Sequence, residues 1–299
     1  MSNSALFLAA TLIWGSTWYA ITFQLGAVAP EASVAYRFAL AALLLGAWCR
    51  ATGRSLRFPA RTHGWIAAQA TFLFGLNYIA VYRAEQHVTS GLVAVLFSTI
   101  VFFNPVGARL FFGTPLTMRT LAGATVGVGG VALIFLPELV AARSGGTTAA
   151  GIAYGLGATV LACGGNMLAV RNQNAGIPIF SGTAWGMAYG AAVAAAVAST
   201  QGVAWSVDLR PAYVGSLLYL AVFGSIAAFG AYLTLIQRLG AGPASYVGVA
   251  TPVVAMLLST LLEGYRWTPL AVAGVALAIA GYVLVLRPTR KRGRPISPA

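Results

Sequence analysis

Ten separate runs of mostly apolar residues divide this chain, at 5–25, 31–50, 64–83, 88–112, 117–137, 149–170, 178–199, 212–236, 242–262 and 268–287. A bilayer core takes about 20 helical residues to cross. Inside it every backbone polar group must find a partner within the segment itself. The run lengths therefore predict an all-α polytopic membrane protein of ten transmembrane helices. Short polar or Gly/Pro-bearing links such as Gly145-Gly146-Thr147 separate the runs. Only 8% of the residues are charged, against about a quarter in soluble domains. The first run has no basic segment before it, and Pro30 would directly follow a cut after Ala29, so 5–25 reads as a span and not as a removed leader.

The net charge of +13 would suit nucleic acid if it formed one patch, but the basic residues sit between apolar runs. The chain is thus expected to meet membrane lipid and no nucleic acid. Links after the second, fourth, sixth and eighth runs hold Arg50, Arg54, Arg57, Arg61, Arg109, Arg119, Arg171 and Arg238. The C-terminal end adds Arg287, Arg290, Lys291, Arg292 and Arg294. All five acids, Glu31, Glu85, Glu138, Asp208 and Glu263, fall on the alternate side, with Arg83, Arg143, Arg210 and Arg266. By the positive-inside rule, both termini are cytoplasmic. The basic tail pins the last helix end on that side; a specific anionic-lipid contact is the alternative reading.

The second half repeats the first. Shifted by 151 residues, LAGATVGVGGVALIFLP (121–137) lies over VAGVALAIAGYVLVLRP (272–288), and the same register pairs Gln86 with Gln237, Gly91 with Gly242, Gly113 with Gly264 and Thr117 with Thr268. This predicts a first five-helix repeat over 1–140, a second over 149–288 and a basic cytoplasmic tail over 289–299. Five is odd, so the second repeat enters the membrane in the opposite sense. Such inverted repeats recur in transporters, with the substrate site between the halves.

Three stretches then carry a family resemblance: WGSTW at 14–18, the arginine in Ala35-Tyr36-Arg37-Phe38, and TPVVAMLLSTLLEGYRWTPLAVAG at 251–274. Their order and spacing resemble the EamA-like family of ten-span exporters in the drug/metabolite transporter superfamily, over nearly the whole chain. One departure lies in the first repeat, where Val101 stands at the aligned place and the proline, Pro105, comes a turn later. The resemblance implies a small-metabolite exporter of the bacterial inner membrane, with amino acids as first choice of substrate. It also leaves drugs and nucleotide sugars open. The expected partners are a small-molecule substrate and lipid, with the chain as monomer or homodimer.

No enzyme pattern is visible. There is no His-x-x-x-His pair, no Cys-x-x-Cys and no GxSxG, and Cys49 and Cys163 both lie in apolar runs, so no metal, cofactor or disulfide is expected. No span carries an Asp or Glu in its middle, which argues against a buried carboxylate relay for protons.

The candidate binding residues are the polar and aromatic groups within the spans. Arg37 sits roughly 10 Å inside the outer end and cannot shed its charge, so it should face the bundle interior. Its fork suits a substrate carboxylate; a structural partner such as Glu31, Glu85 or helix-end carbonyls serves equally. Asn77 and Tyr78 lie near the outer half, with Tyr82 one turn beyond on the same face as Tyr78. Thr99, Asn166, Tyr246 and Thr251 complete a mid-depth polar set, although hydroxyls here also serve to satisfy carbonyls freed by proline. Trp14 and Thr17 join them from the first span, where Trp14 and Trp18 share a face and Gly15 lies on another side. Gly15, Pro105 and Pro252 are the expected hinges. Spans one, three, four, six, eight and nine should line a cavity, with spans five and ten outside it. A channel-like facilitator would share this pattern.

Overall fold

The computed structural model describes residues 1–142, 147–239, 244 and 246–286. These form ten helices: α1 Asn3–Thr22, α2 Pro30–Ala51, α3 Ala60–Glu85, α4 Ser90–Phe112, α5 Met118–Ala142, α6 Thr148–Asn174, α7 Ile179–Thr200, α8 Pro211–Leu239, α9 Tyr246–Leu262 and α10 Pro269–Leu286. Among the described residues there is no strand. Six of the helices, α1, α2, α3, α4, α6 and α8, are long and apolar enough to cross a bilayer. The basic tail and Arg143 lie outside the described residues.

Local chemistry sets the helix ends. The Ser2 hydroxyl accepts from the Ala5 N–H at 3.2 Å and caps α1, while proline opens α2 and α8, where its missing N–H costs nothing. Gly113 and Gly264 follow α4 and α9 with φ of 69° and 70°, the left-handed conformation that stops a helix and that side chains resist. These are two residues that the sequence register pairs.

Three helices are irregular inside. α3 and α8 each contain a wide π turn, at Thr71–Leu76 and Leu220–Ala227. In the second, the Ser225 hydroxyl donates back to the Leu220 carbonyl at 2.9 Å. Such turns push one residue out of the regular ladder and commonly mark working regions of a helix. α4 breaks at Thr99, where the hydroxyls of Ser98 and Thr99 donate to the carbonyls of Val95 and Leu96, both at 2.6 Å.

Packing is most extensive between α5 and α10, followed by α3 against α6 and α2 against α7. Lipid offers no hydrophobic drive for helices to associate, so small residues that let backbones approach do the work. α1, α3, α4, α6, α8 and α9 surround the middle of the bundle, and α5 and α10 stand outside that ring.

Candidate functional site: a central uncharged cavity

A cavity of about 830 Å³, its open mouth included, occupies the middle of the ring. Each of the six ring helices contributes to the wall, and none of the lining residues is charged. The wall is mainly apolar and carries six aromatic rings: Trp14 and Trp18 from α1, Tyr78 from α3, Phe97 from α4, and Phe229 and Tyr232 from α8. Trp14 stands edge-on to Phe229, with ring centroids 5.1 Å apart, and tilts against Tyr232 at 5.0 Å. Its indole N–H donates to the Gly224 carbonyl at 3.1 Å, inside the π turn of α8.

Polar groups are few and placed at intervals. Asn77 is 2% exposed; its amide donates to the Leu73 carbonyl at 3.2 Å, in the π turn of α3, and its oxygen has no partner among the described residues. The indole N–H of Trp18 is likewise buried without one. One buried acceptor and one buried donor thus belong to residues of the same cavity wall, and groups of this kind are costly unless a ligand or water serves them. Asn166 reaches Asn104 at 3.5 Å. Thr251 turns its hydroxyl onto the Val247 carbonyl at 2.8 Å. Pro252 has no N–H to give Gly248, and both residues line the cavity.

The structure thus brings Trp14, Thr17, Asn77, Tyr78, Asn166, Thr251 and Pro252 to one wall. Arg37, Tyr82, Thr99, Gly15 and Pro105 are elsewhere. Arg37 is fully buried behind Tyr78, with its guanidinium 4.6 Å from that ring and its Nε donating to the Ser225 hydroxyl at 3.0 Å. Its partner is therefore a hydroxyl set by the π turn of α8. Glu31 accepts instead from Arg83, through Nε at 2.9 Å and Nη2 at 2.6 Å. Tyr82 is buried beside Arg37. Thr99 forms the break in α4, one residue from Ser98 and Ile100, which do line the cavity. Gly15 lets α9 approach α1, since a methyl group there would overlap Val254. Pro105 lies in the second half of α4. Tyr246 begins α9, and its side chain is outside the described residues.

Trp18, Phe97, Phe229 and Tyr232 were not among the expected binding residues. The signal for the last two was slight: Phe229 and Tyr232 stand three residues apart, about one helical turn, in a run that also holds Tyr213, Tyr219 and Phe223.

The wall closes unevenly. α4 and α9 pack together along Ser90–Ser98 and part beyond the break. At the packed end, Glu263 beyond α9 accepts from the Ser90 N–H at 3.2 Å and from its hydroxyl at 2.5 Å. Nearby, Gln24 donates to the Tyr213 carbonyl at 2.9 Å and to the Ser216 hydroxyl at 2.6 Å, joining α1 to α8.

A model of the EamA-like transporter family matches residues 2–136 and, a second time, 149–287. The chain belongs to the EamA-like transporter family. It is a membrane transporter of that family. It is 25% identical to the protein PagO of Salmonella typhimurium, over 96% of this chain and 93% of that one. An uncharacterized inner membrane transporter, YedA of Escherichia coli K12, is 29% identical over 92% of this chain and 87% of its own. A probable terminal-alkyne amino-acid exporter of Streptantibioticus cattleyicolor is 25% identical over 71% and 69%. A solved crystal structure has the same fold, with a TM-score of 0.68, 18% identity, and coverage of 95% of this chain and 96% of the other.

Proposed function

We propose that this EamA-like protein exports a small amphipathic metabolite, with amino acids first among the classes, by alternating access across an inner membrane. The observation that carries the proposal is the cavity wall: mostly apolar with six aromatic rings, uncharged among the described residues, and holding the unpartnered Asn77 oxygen and Trp18 N–H. A phosphate-bearing solute would need several cations there. A zwitterionic or neutral solute with an apolar body needs ring faces, one donor and one acceptor. The inner-membrane relative and the amino-acid exporter point the same way.

In this reading ten helices span the membrane as two inverted five-helix repeats, with both termini cytoplasmic. The double match to one family model, the paired π turns and the paired glycine stops at 113 and 264 support it. The Ser90–Glu263 end then faces outside, and the parting of α4 from α9 opens the cavity to the cytoplasm, the side on which an exporter loads. No carboxylate lines the cavity, so the substrate does not share its site with a proton relay.

Proteoliposomes test the proposal. A panel of labelled amino acids, amines and nucleotide sugars is measured for uptake and counterflow, with Asn77→Ala beside the wild type. Saturable counterflow of a zwitterionic solute, weakened in the variant, is expected. Non-saturating flux without counterflow would establish a channel-like facilitator instead, and transport confined to phosphate-bearing solutes would overturn the substrate class.

A further inference from the structure

Glu85 ends α3 at the closed end of the cavity and is absent from the cavity wall. It is 8% exposed, both carboxylate oxygens are buried, and neither has a hydrogen-bond partner among the described residues. The last turn of a helix presents free carbonyls and the negative end of the helix dipole, so an anion there is doubly disfavoured.

Among the described residues, no surrounding charge forms an ion pair with Glu85. The charged groups that act on Glu85 are Glu263 and Arg37. Glu263 is engaged by Ser90 and adds only like charge. From α2, Arg37 turns its Nε to Ser225 and its plane to the Tyr78 ring; its Nη1 is buried without a partner, and none of its nitrogens comes within ion-pair distance of Glu85. Within α3, Arg83 donates to the Glu31 carboxylate and to the Gln201 side-chain oxygen, and Tyr82 lies beside Arg37. In the turn that follows, His87 is stacked on Tyr154 of α6, with centroids 6.0 Å apart. From α8, Tyr213 is held by the Ser33 hydroxyl at 3.0 Å. An ionised Glu85 would therefore be a buried charge with no donor, which proteins avoid by neutralising the group.

The same end buries further polar atoms without partners among the described residues, Thr89 Oγ1 and Ser259 Oγ among them. Groups that lose water on closure and gain nothing in return belong to a surface that is wet in another conformation.

We propose that Glu85 is a proton-binding site built into the outer closure, and that α3, α4 and α9 close over it only when it carries the proton. Opening lets water reach the carboxyl, which then releases its proton to the outer solution; closing takes one back from the same side. Because the proton enters and leaves on one face, it sets the position of the gate and does no transport work. External acid favours the closed, cytoplasm-facing state, and external alkali favours opening. The site rests on the orientation proposed above only for the word "outer".

A single cysteine at Ala94, on the cavity wall, reports opening once Cys49 and Cys163 are replaced by alanine. An impermeant maleimide is applied to right-side-out and to inside-out vesicles between about pH 5 and pH 8, a range over which a buried carboxyl can titrate. Rates are divided by that of the unfolded chain at the same pH. From the outside, labelling should rise with pH by up to about tenfold per unit while one linked proton is released. Glu85→Gln should hold it low at every pH, Glu85→Asp should keep the rise, and Glu263→Gln should move it to lower pH. The same profile in Glu85→Gln as in the parent, or fast labelling of that variant at all pH values, overturns the proton site. A pH-dependent rise seen only in inside-out vesicles supports the site and overturns the orientation.

Discussion

Trp14 of α1 donates its indole N–H to the Gly224 carbonyl of α8 across 3.1 Å, and the same ring forms part of the cavity wall. One side chain thus fixes the contact between two helices that must move if the halves rock, and shapes the space the solute occupies. Trp14→Phe keeps a ring against Phe229 and Tyr232 and removes only the donor, leaving a carbonyl unserved. The expected loss is about 1–3 kcal/mol of stability, read as a lower unfolding temperature in detergent. Counterflow should weaken in the same variant. Trp14→Leu, which also discards the ring contacts, should lose more of both.

Arg37 and Ser225 tie α2 to α8. The guanidinium is fully buried, and its Nε meets the hydroxyl at 3.0 Å. Hydrogen bonds to charged groups contribute about 1.5–3 kcal/mol. A double-mutant cycle with Arg37→Lys and Ser225→Ala should return a coupling energy of about that size. Lysine keeps the charge but not the planar fork stacked on Tyr78, so Arg37→Lys alone should already be destabilising. A coupling near zero would mean that the bond is incidental.

The sequence legibly marks the helices that ring the cavity, because span length and scattered polar residues are local properties. Trp14, Asn77, Tyr78, Asn166 and Thr251 stand out because a polar or amphipathic group within an apolar run needs a partner. Phe229, Tyr232 and Phe97 do not, since an aromatic ring is equally at home against lipid, a helix or a ligand. The depth of Arg37 can be read from its place in the run, whereas its partner cannot. Ser225 reaches it only because a π turn shifts the register of α8, and nothing in the composition of LAVFGSIA announces that turn. Glu85 is similar: its position at a helix end is plain, and the lack of any donor within hydrogen-bond reach of its carboxylate exists only in three dimensions.

Gly113 and Gly264 make the duplicated architecture testable by stability. Both hold φ near +70° directly after their helices, where an added Cβ meets no neighbouring atom and is opposed only by the backbone. Replacement by alanine should cost about 1–2 kcal/mol at either site through conformational strain alone. Since the two stops are far apart in the chain and share no contact in the described structure, the costs should add in the double variant. Thermal unfolding of the three variants gives the comparison. A much larger loss at one site would reveal a packing role that the other lacks.

Asn77 separates binding from folding. Its amide serves the Leu73 carbonyl in the π turn of α3, and its oxygen is buried in the cavity wall without a partner. Asn77→Ala removes both functions, so a fall in stability by itself would say little. Asn77→Asp at neutral pH keeps the shape, loses the donor and places a negative charge beside a solute for which the wall now offers none. If the oxygen accepts from a substrate N–H, Asn77→Ala should raise the half-saturation concentration by about three- to tenfold, the equivalent of one neutral hydrogen bond of roughly 0.5–1.5 kcal/mol. Asn77→Asp should change the order of preference within the panel, favouring amines over zwitterions, because the added charge repels a carboxylate and attracts an ammonium group. Counterflow kinetics on protein that elutes as a single species check both outcomes. Unchanged half-saturation in Asn77→Ala together with an unchanged order in Asn77→Asp would remove Asn77 from the binding site and leave it as a brace for the π turn.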